Sequence, residues 1–403
     1  MEDPQSMLKE QRRERVELPP APSYWVIVTG VGMLYDAKLR STLDQLGPAN
    51  QRILLDSNPS RVSAETVESQ VQHLVHGVIA DSRQAPFSLD NGSLTPEQKR
   101  NFVVFVGTPD HLHTIESFVS AGFRRFVVEK PMVNNGEEVR VLESLKERYP
   151  DLMVYPMDFY VQKVAPLYVL TGALTPSDPR WEWVTDAYGN PVSEDLAGSL
   201  TDWIGQLEGI SVNILEGGSL GVPNVRERIW LLEDLERGGM WLDLGTHALA
   251  PLAAAGLFSA STTNIDDAGR LGLNAEMNDY VPVPDKQTEM QGDALLTSTM
   301  TGRPIHLAVR VGKTFDAGGI WELTLRGDKG HIFMGLRTGD RLTVIPKDQE
   351  PFQLRLRAGV DPYELAMQEA HWYFSGVAGI DGNMQAMLDA IAIIDRIKAA
   401  SPA

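Results

Sequence analysis

From Trp25 onward, short apolar runs alternate with longer segments whose apolar residues recur every three or four positions. Trp25-Val26-Ile27-Val28-Thr29-Gly30 reads as a buried strand ending in glycine. Tyr35, Leu39, Leu43 and Leu46 then follow at helical spacing, and Gly47 stops that helix. Arg52-Ile53-Leu54-Leu55-Asp56 predicts a second strand, and Val67, Val71 and Leu74 predict another helix. Phe102 to Val106 is a third strand, and the helix after Thr108-Pro109-Asp110 carries Ile115, Phe118 and Val119. Phe126-Val127-Val128 and the helical set Val139, Leu142, Leu145 repeat the unit once more. Such alternation predicts an α/β fold with a doubly wound parallel sheet.

The texture changes after Leu152-Met153-Val154-Tyr155. Longer strand-like runs, Ile210 to Leu215 and Ile320 to Leu325, are punctuated by glycine-rich turns at 327–330 and 335–339. They predict a mostly antiparallel open sheet, with a helical segment inserted near 225–257. Leu388, Ile391, Ile394 and Ile397 mark a last amphipathic helix over 384–399. The expected organisation is an N-terminal extension (1–22), a first domain (23–155) and a second (156–403), with a ligand cleft between the domains.

Composition narrows the function. Asp and Glu number 54 against 36 Lys and Arg, a net charge of -18, which repels phosphate backbones and anionic membrane surfaces. Neither nucleic acid nor membrane is an expected partner. Cysteine is absent, which excludes disulfides, thiolate metal sites and a cysteine nucleophile. Residues 1–17 mix both charges without the apolar stretch of a secretory signal, and they are too acidic for a transit peptide. A cytoplasmic location is expected, with residues 1–22 a loosely packed extension.

Four short motifs carry candidate chemistry, each with a plainer reading beside it. Gly30-Val31-Gly32 would let the backbone approach a pyrophosphate, or is only a tight strand-to-helix turn. Asp56, at the end of the second strand, stands where a carboxylate accepts hydrogen bonds from an adenosine ribose. Thr108-Pro109-Asp110-His111-Leu112-His113 lies at a strand's carboxyl end, where doubly wound sheets bind ligands. Alternatively, Asp110 simply caps the helix and the histidines lie in its first turn. Glu129-Lys130-Pro131 places an ammonium at the same edge, or a surface charge. Asp243 and His247, four apart in Gly-Gly-Met-Trp-Leu-Asp-Leu-Gly-Thr-His, project from one helix face beside apolar neighbours. They are a reactive pair or a satisfied core histidine. No third ligand lies at a metal-binding spacing, so no metal is expected.

Taken in order, the strand-one glycines, Thr-Pro-x-x-x-His, Glu-Lys-Pro and Gly-Gly-x-x-x-Asp-x-x-x-His resemble the Gfo/Idh/MocA oxidoreductases, the glucose–fructose oxidoreductase and inositol dehydrogenase superfamily. The resemblance spans roughly residues 24–400. It implies a Rossmann domain, an α/β domain whose open sheet mediates homodimers or homotetramers, NAD(P), and a small sugar, cyclitol or related polyol as substrate. It implies Lys130, Asp243 and His247 as the catalytic set, and Gly30, Gly32, Asp56, Thr108, Pro109, His113, Glu129 and Lys130 on the cofactor side. Two features depart from the family. Tyr35 replaces the third glycine. The segment 176–206, with Trp181, Trp183, Asp186, Tyr188, Glu194, Asp195, Asp202 and Trp203, is longer than usual and suits either carbohydrate recognition or a small core of its own.

The chemistry implied is hydride transfer. His247 would accept the substrate hydroxyl proton, Lys130 would stabilise developing alkoxide charge, and Asp243 would orient hydroxyls and steady the histidine side of the pocket. A dehydrogenase or reductase is favoured, with a nicotinamide-dependent glycosidase and a non-catalytic dinucleotide-binding regulator as alternatives. Asp56 would repel the 2′-phosphate of NADP, so NAD is the expected cofactor, although Ser57 and Arg61 are a pair that could grip that phosphate. Repulsion on the order of 1–4 kcal/mol corresponds to a roughly tenfold to several-hundredfold preference. Paired titrations should show NADH binding more tightly than NADPH, with the ratio collapsing in Asp56→Ala; tighter NADPH binding to wild type would reverse the assignment.

Overall fold

The structure is a computed structural model that describes residues 18–21, 23–30, 38–48, 51–55, 94–108, 110–217, 239–262, 289–315, 319–336 and 341–400. The predicted helix with Val67, Val71 and Leu74, the positions Tyr35, Ser57 and Arg61, and much of the predicted 225–257 helix lie outside these residues.

Five strands form the first sheet: β1 (Trp25–Thr29), β2 (Arg52–Leu55), β3 (Phe102–Val106), β4 (Arg125–Glu129) and β5 (Met153–Met157). All run parallel in the order β2-β1-β3-β4-β5. Their near-continuous apolar content follows from being covered on both faces. Among the helices, α1 (Arg40–Thr42) and α2 (Pro96–Lys99) are short, whereas α3 (His111–Ser120) and α4 (Gly136–Arg148) are longer crossovers. Leu112, Ile115 and Phe118 of α3 pack with Ile27, Val104 and Phe126, while the alternate residues Val26, Val103 and Val127 face the other side. Asn135 caps α4, its side-chain oxygen accepting from the amides of Glu137 and Glu138 at 3.0 and 2.9 Å.

The second sheet has eight strands in the order β6-β13-β12-β11-β10-β7-β9-β8. They are β6 (Val184–Asp186), β7 (Leu207–Gly217), β8 (Glu289–Thr297), β9 (Pro304–Phe315), β10 (Ile320–Gly327), β11 (Gly330–Gly335), β12 (Arg341–Pro346) and β13 (Phe352–Leu356). Every pairing is antiparallel except β7 with β9. Alternation along these strands is clean: Leu323, Leu325, Ile332 and Met334 are buried, while Arg326, His331 and Phe333 face outward. On that outer face Ser211, Asp293, His306, Thr324 and Arg326 line a shallow groove of about 540 Å³.

The remaining helices are α5 (Phe159–Lys163), α6 (Ala165–Thr171), α7 (Leu200–Ile204), α8 (Thr246–Ala254), α9 (Pro362–Phe374) and α10 (Met384–Ala400). Helix α9 returns to the first sheet, where Ala366, Met367, Ala370 and Phe374 pack with Val26, Val28, Leu43 and Tyr155. The C-terminal part of the chain thus supplies one face of the N-terminal core. No helix of the described residues is long and apolar enough to cross a membrane.

Segment 176–206 builds its own packing. Trp181 and Trp183 are buried, Trp183 stacks on Trp372 at 5.5 Å, and Trp203 meets Phe352 edge-on at 4.6 Å. Its carboxylates Glu194, Asp195 and Asp202 are exposed, and Asp186 is spent on its own turn, accepting from the amides of Tyr188 and Asn190. The segment is pinned by Arg180, whose guanidinium donates to Asp178 and, at 2.9 Å, to the buried Glu369 of α9. Glu369 also accepts from Gln162 at 3.0 Å and Asn383 at 2.7 Å. Removing this carboxylate takes one of two buried partners from Arg180 and leaves Gln162 and Asn383 without their acceptor, so Glu369→Ala should lose about 3–5 kcal/mol of unfolding free energy, read from the urea midpoint; a loss below about 1 kcal/mol would contradict the anchoring role.

Candidate functional site

At the carboxyl edge of the first sheet, β1 and β3 end side by side where the strand order reverses, the position at which open α/β sheets bind ligands. Gly30 adopts φ +79°, and a Cβ there would lie 2.7 Å from the carbonyl oxygen of Gly107, so the strand ends touch only because both lack side chains. The Thr29 hydroxyl donates to the Phe105 carbonyl at 3.1 Å and stiffens this junction. Thr108 follows, buried, its hydroxyl 2.9 Å from that of Thr114. Asp110 occupies the cap position of α3, yet its side chain makes no capping hydrogen bond, so it is not the side-chain cap the sequence suggests. Gly32, Asp56 and Pro109 lie outside the described residues.

Strand β4 delivers Glu129 and Lys130 to the same edge. Lys130 Nζ donates to Asp243 Oδ1 at 2.5 Å and to the Asp243 carbonyl at 2.6 Å. The loop carrying this lysine is tied back by His111, whose Nδ1 lies 2.6 Å from the Pro131 carbonyl. A carbonyl only accepts, so Nδ1 carries the proton. His111 is buried, whereas His113 stands exposed on α3; the structure brings His111 rather than His113 to the lysine loop. Glu129 is half-buried, within electrostatic reach of Tyr363.

Asp243 sits in a π turn, Trp241–Gly245, that leads directly into α8, so the predicted single α-helix is wider here by one residue per turn. Burial disfavours its charge, but the Lys130 and Lys313 ammoniums outweigh that cost and hold the carboxyl far below its ordinary range. Lys313 Nζ lies 2.8 Å from Asp243 Oδ2 and donates to Glu216 Oε2 at 2.5 Å. Both carboxylate oxygens of Asp243 are therefore engaged by ammonium groups.

His247 pairs with Asp158 rather than with Asp243. Its Nδ1 lies 2.7 Å from Asp158 Oδ1, an oxygen that also accepts from the Tyr160 amide at 3.0 Å. The carboxylate fixes the proton on Nδ1 and leaves Nε2 as the basic nitrogen. Phe159 and Tyr160 flank the imidazole, with ring centroids at 5.5 and 4.4 Å. Burial lowers the His247 pKa, Asp158 opposes that shift, and the charge of Lys130 adds to it. Among the described residues no cluster of three or more His, Asp or Glu side chains is arranged to hold a metal ion.

Comparison with known proteins places the fold. No family model and no curated protein matches the chain. Solved structures do. UDP-N-acetylglucosamine 3-dehydrogenase GnnA from Acidithiobacillus ferrooxidans superposes with a TM-score of 0.58 at 14% identity, over 94% of this chain and 98% of that one. An inositol dehydrogenase homolog from Azotobacter vinelandii, complexed with NADH and myo-inositol, gives 0.60 at 12% identity over 94% and 95%. The fold is that of the Gfo/Idh/MocA-type oxidoreductases. Biliverdin reductase from Synechocystis sp. PCC 6803, in complex with biliverdin and NADP+, gives 0.61 at 13% over 93% and 98%. An open tetrapyrrole and a cyclitol thus occupy related folds, and substrate identity must come from side chains.

Within this Gfo/Idh/MocA-type fold, sequence reasoning missed Asp158, Glu216, Lys313 and His111. Asp158 directly follows an apolar strand, as Lys130 nearly does, and that placement was a usable signal. His111 was visible only as one of two neighbouring histidines. Burial holds its imidazole down to about 4, with the Pro131 carbonyl pulling the other way. Below pH 6.5 the unfolded chain takes up a proton that the folded chain refuses, so stability falls as pH drops from about 6.5 toward 4. Wild type should lose about 2–3 kcal/mol more than His111→Gln between pH 7 and 4.5, read from urea midpoints; equal losses would refute the buried neutral histidine.

Proposed function

We propose that this chain is an NAD(P)-dependent oxidoreductase that moves a hydride between nicotinamide and a sugar, amino-sugar or cyclitol alcohol or ketone. The observation that carries this reading is convergence. Lys130, directly after β4, bonds to Asp243 of the π turn at 2.5 Å, and the charges of both act on His247 of α8. GnnA, named a UDP-N-acetylglucosamine dehydrogenase, and the inositol dehydrogenase homolog, complexed with myo-inositol, support the substrate class. The cofactor fits what is present: Gly30 and Gly107 leave a side-chain-free junction at the switch point, beside Thr108 and the N-terminus of α3.

When bound, nicotinamide supplies the hydride acceptor or donor. His247, with Nδ1 committed to Asp158, presents Nε2 to take the substrate hydroxyl proton, and its lowered pKa keeps that nitrogen free at neutral pH. Lys130 offers its remaining N–H to the same oxygen and stabilises alkoxide character. Asp243 holds the ammonium in place, since both of its oxygens face lysines. The outer face of the second sheet, with Leu295 and Phe333 exposed, is the surface on which two copies would meet as a homodimer or homotetramer.

Lys130→Ala and His247→Ala should each lower kcat by about 10²–10⁴-fold while leaving the fold intact. A panel of sugars, amino sugars and cyclitols assayed for NADH formation checks both; kcat within a few-fold of wild type in either variant would sink these roles. Release of a cleaved aglycone without net NADH formation would point instead to the glycosidase alternative.

A further inference from the structure

Strands β7 and β9 run parallel, and their inward positions form a regular apolar ladder: Ile210 opposite Leu307, Val212 opposite Val309, Ile214 opposite Val311. All six side chains are buried. Two residues further along each strand, where the register shifts, stand Glu216 and Lys313. The apolar face therefore ends in a buried ion pair, with Lys313 at 8% and Glu216 at 16% side-chain exposure. An apolar pair there would continue the core without the desolvation cost of two charges, so stability does not account for this choice. What the pair touches is Asp243. Lys313 reaches its Oδ2 at 2.8 Å, while Lys130 holds its Oδ1 at 2.5 Å.

We propose that Lys313 is a positioning residue for the reaction, acting on Lys130 through Asp243, with Glu216 as its counter-charge. The inference rests on the oxidoreductase reading above. Held by Lys313 on one oxygen, the Asp243 carboxylate is fixed in rotation and turns its other oxygen to Lys130. Because its negative charge is shared between two ammoniums, Lys130 is left more electrophilic toward a substrate oxygen than it would be in an isolated pair. Without Lys313, Oδ2 would face Glu216 with no cation between them. Asp243 would then turn or protonate, and Lys130 would lose its anchor. The charged groups around this carboxylate are Lys130 after β4, Lys313 on β9, Glu216 on β7 and His247 on α8, with Asp158 and Tyr160 beyond the imidazole.

The test uses Lys313→Met and Lys313→Arg in the full chain, assayed on whichever member of the sugar and cyclitol panel wild type oxidises with NAD+. Lys313→Met should lower kcat about 10–100-fold with KM within about threefold. Lys313→Arg should restore most of kcat. If Lys313→Met does not fold, Lys313→Gln takes its place. A kcat within twofold of wild type, a loss expressed in KM rather than kcat, or an arginine variant no better than methionine, would overturn the proposal. A second measurement needs no substrate: urea unfolding of Lys130→Met, Lys313→Met and the double variant. The two lysines share Asp243, so the double variant's folding constant should depart from the product of the single effects by about fivefold or more. Additive effects would also overturn the proposal. A panel on which wild type shows no turnover would fail the oxidoreductase reading, leaving this cycle to decide whether Lys313 acts on Lys130.

Discussion

A carboxylate buried between two sheets must be neutralised from both, and Asp243 meets that requirement with one lysine from each. Lys130 arrives from the end of a strand in the parallel sheet, and Lys313 from a strand in the antiparallel one. Breaking either contact leaves charge uncompensated in a low-dielectric region, so the ends of the two sheets are locked at this point. The orientation of the π turn from which α8 and His247 continue follows from that lock.

Around this point the protein separates two electrostatic tasks that a single Asp–His pair would have to share. Asp243 is committed to cations and stays ionised. Asp158, from the end of β5, is committed to the imidazole and sets its tautomer. The aromatic rings of Phe159 and Tyr160 exclude water from the histidine, which lowers its proton affinity, while the carboxylate restores part of it. This opposition gives an imidazole that is neutral yet oriented. On the other side, the hydrogen bond from His111 to Pro131 fixes the start of the lysine loop with a group that stays uncharged, and so adds no repulsion to Lys130.

The packing of the C-terminal helices gives the site its rigidity. Helix α9 lies on the parallel sheet and also carries Glu369, the acceptor for Gln162 on α5, Arg180 in the 176–206 segment and Asn383 before α10. Helix α5 bears the aromatic rings that flank His247, so one buried carboxylate connects the segment, the last two helices and the wall of the site.

Local periodicity determined much of this protein from sequence alone. The period-two runs and the three-to-four spacing reflect which side chains face a core, and that is a property of neighbours in the chain. The parallel sheet, the longer antiparallel strands and the last helix were therefore legible, and residue type and motif singled out Lys130, Asp243 and His247 as candidates. What the tertiary structure decided are the pairings between distant residues: Lys130 with Asp243 across 113 positions, and His247 with Asp158 across 89. Lys313 shows the boundary between the two. Its place on the inward face follows from the alternation Ile305, Leu307, Val309, Val311, and a charge at the next inward position is a visible anomaly. Only the approach of the π turn to that face supplies the carboxylate that explains it. The tryptophans of 176–206 show the same boundary from the other side: their residue types suit a sugar surface as well as a core, and burial against α9 and β13 settled which, because apolar area removed from water by distant partners leaves no mark on the local pattern.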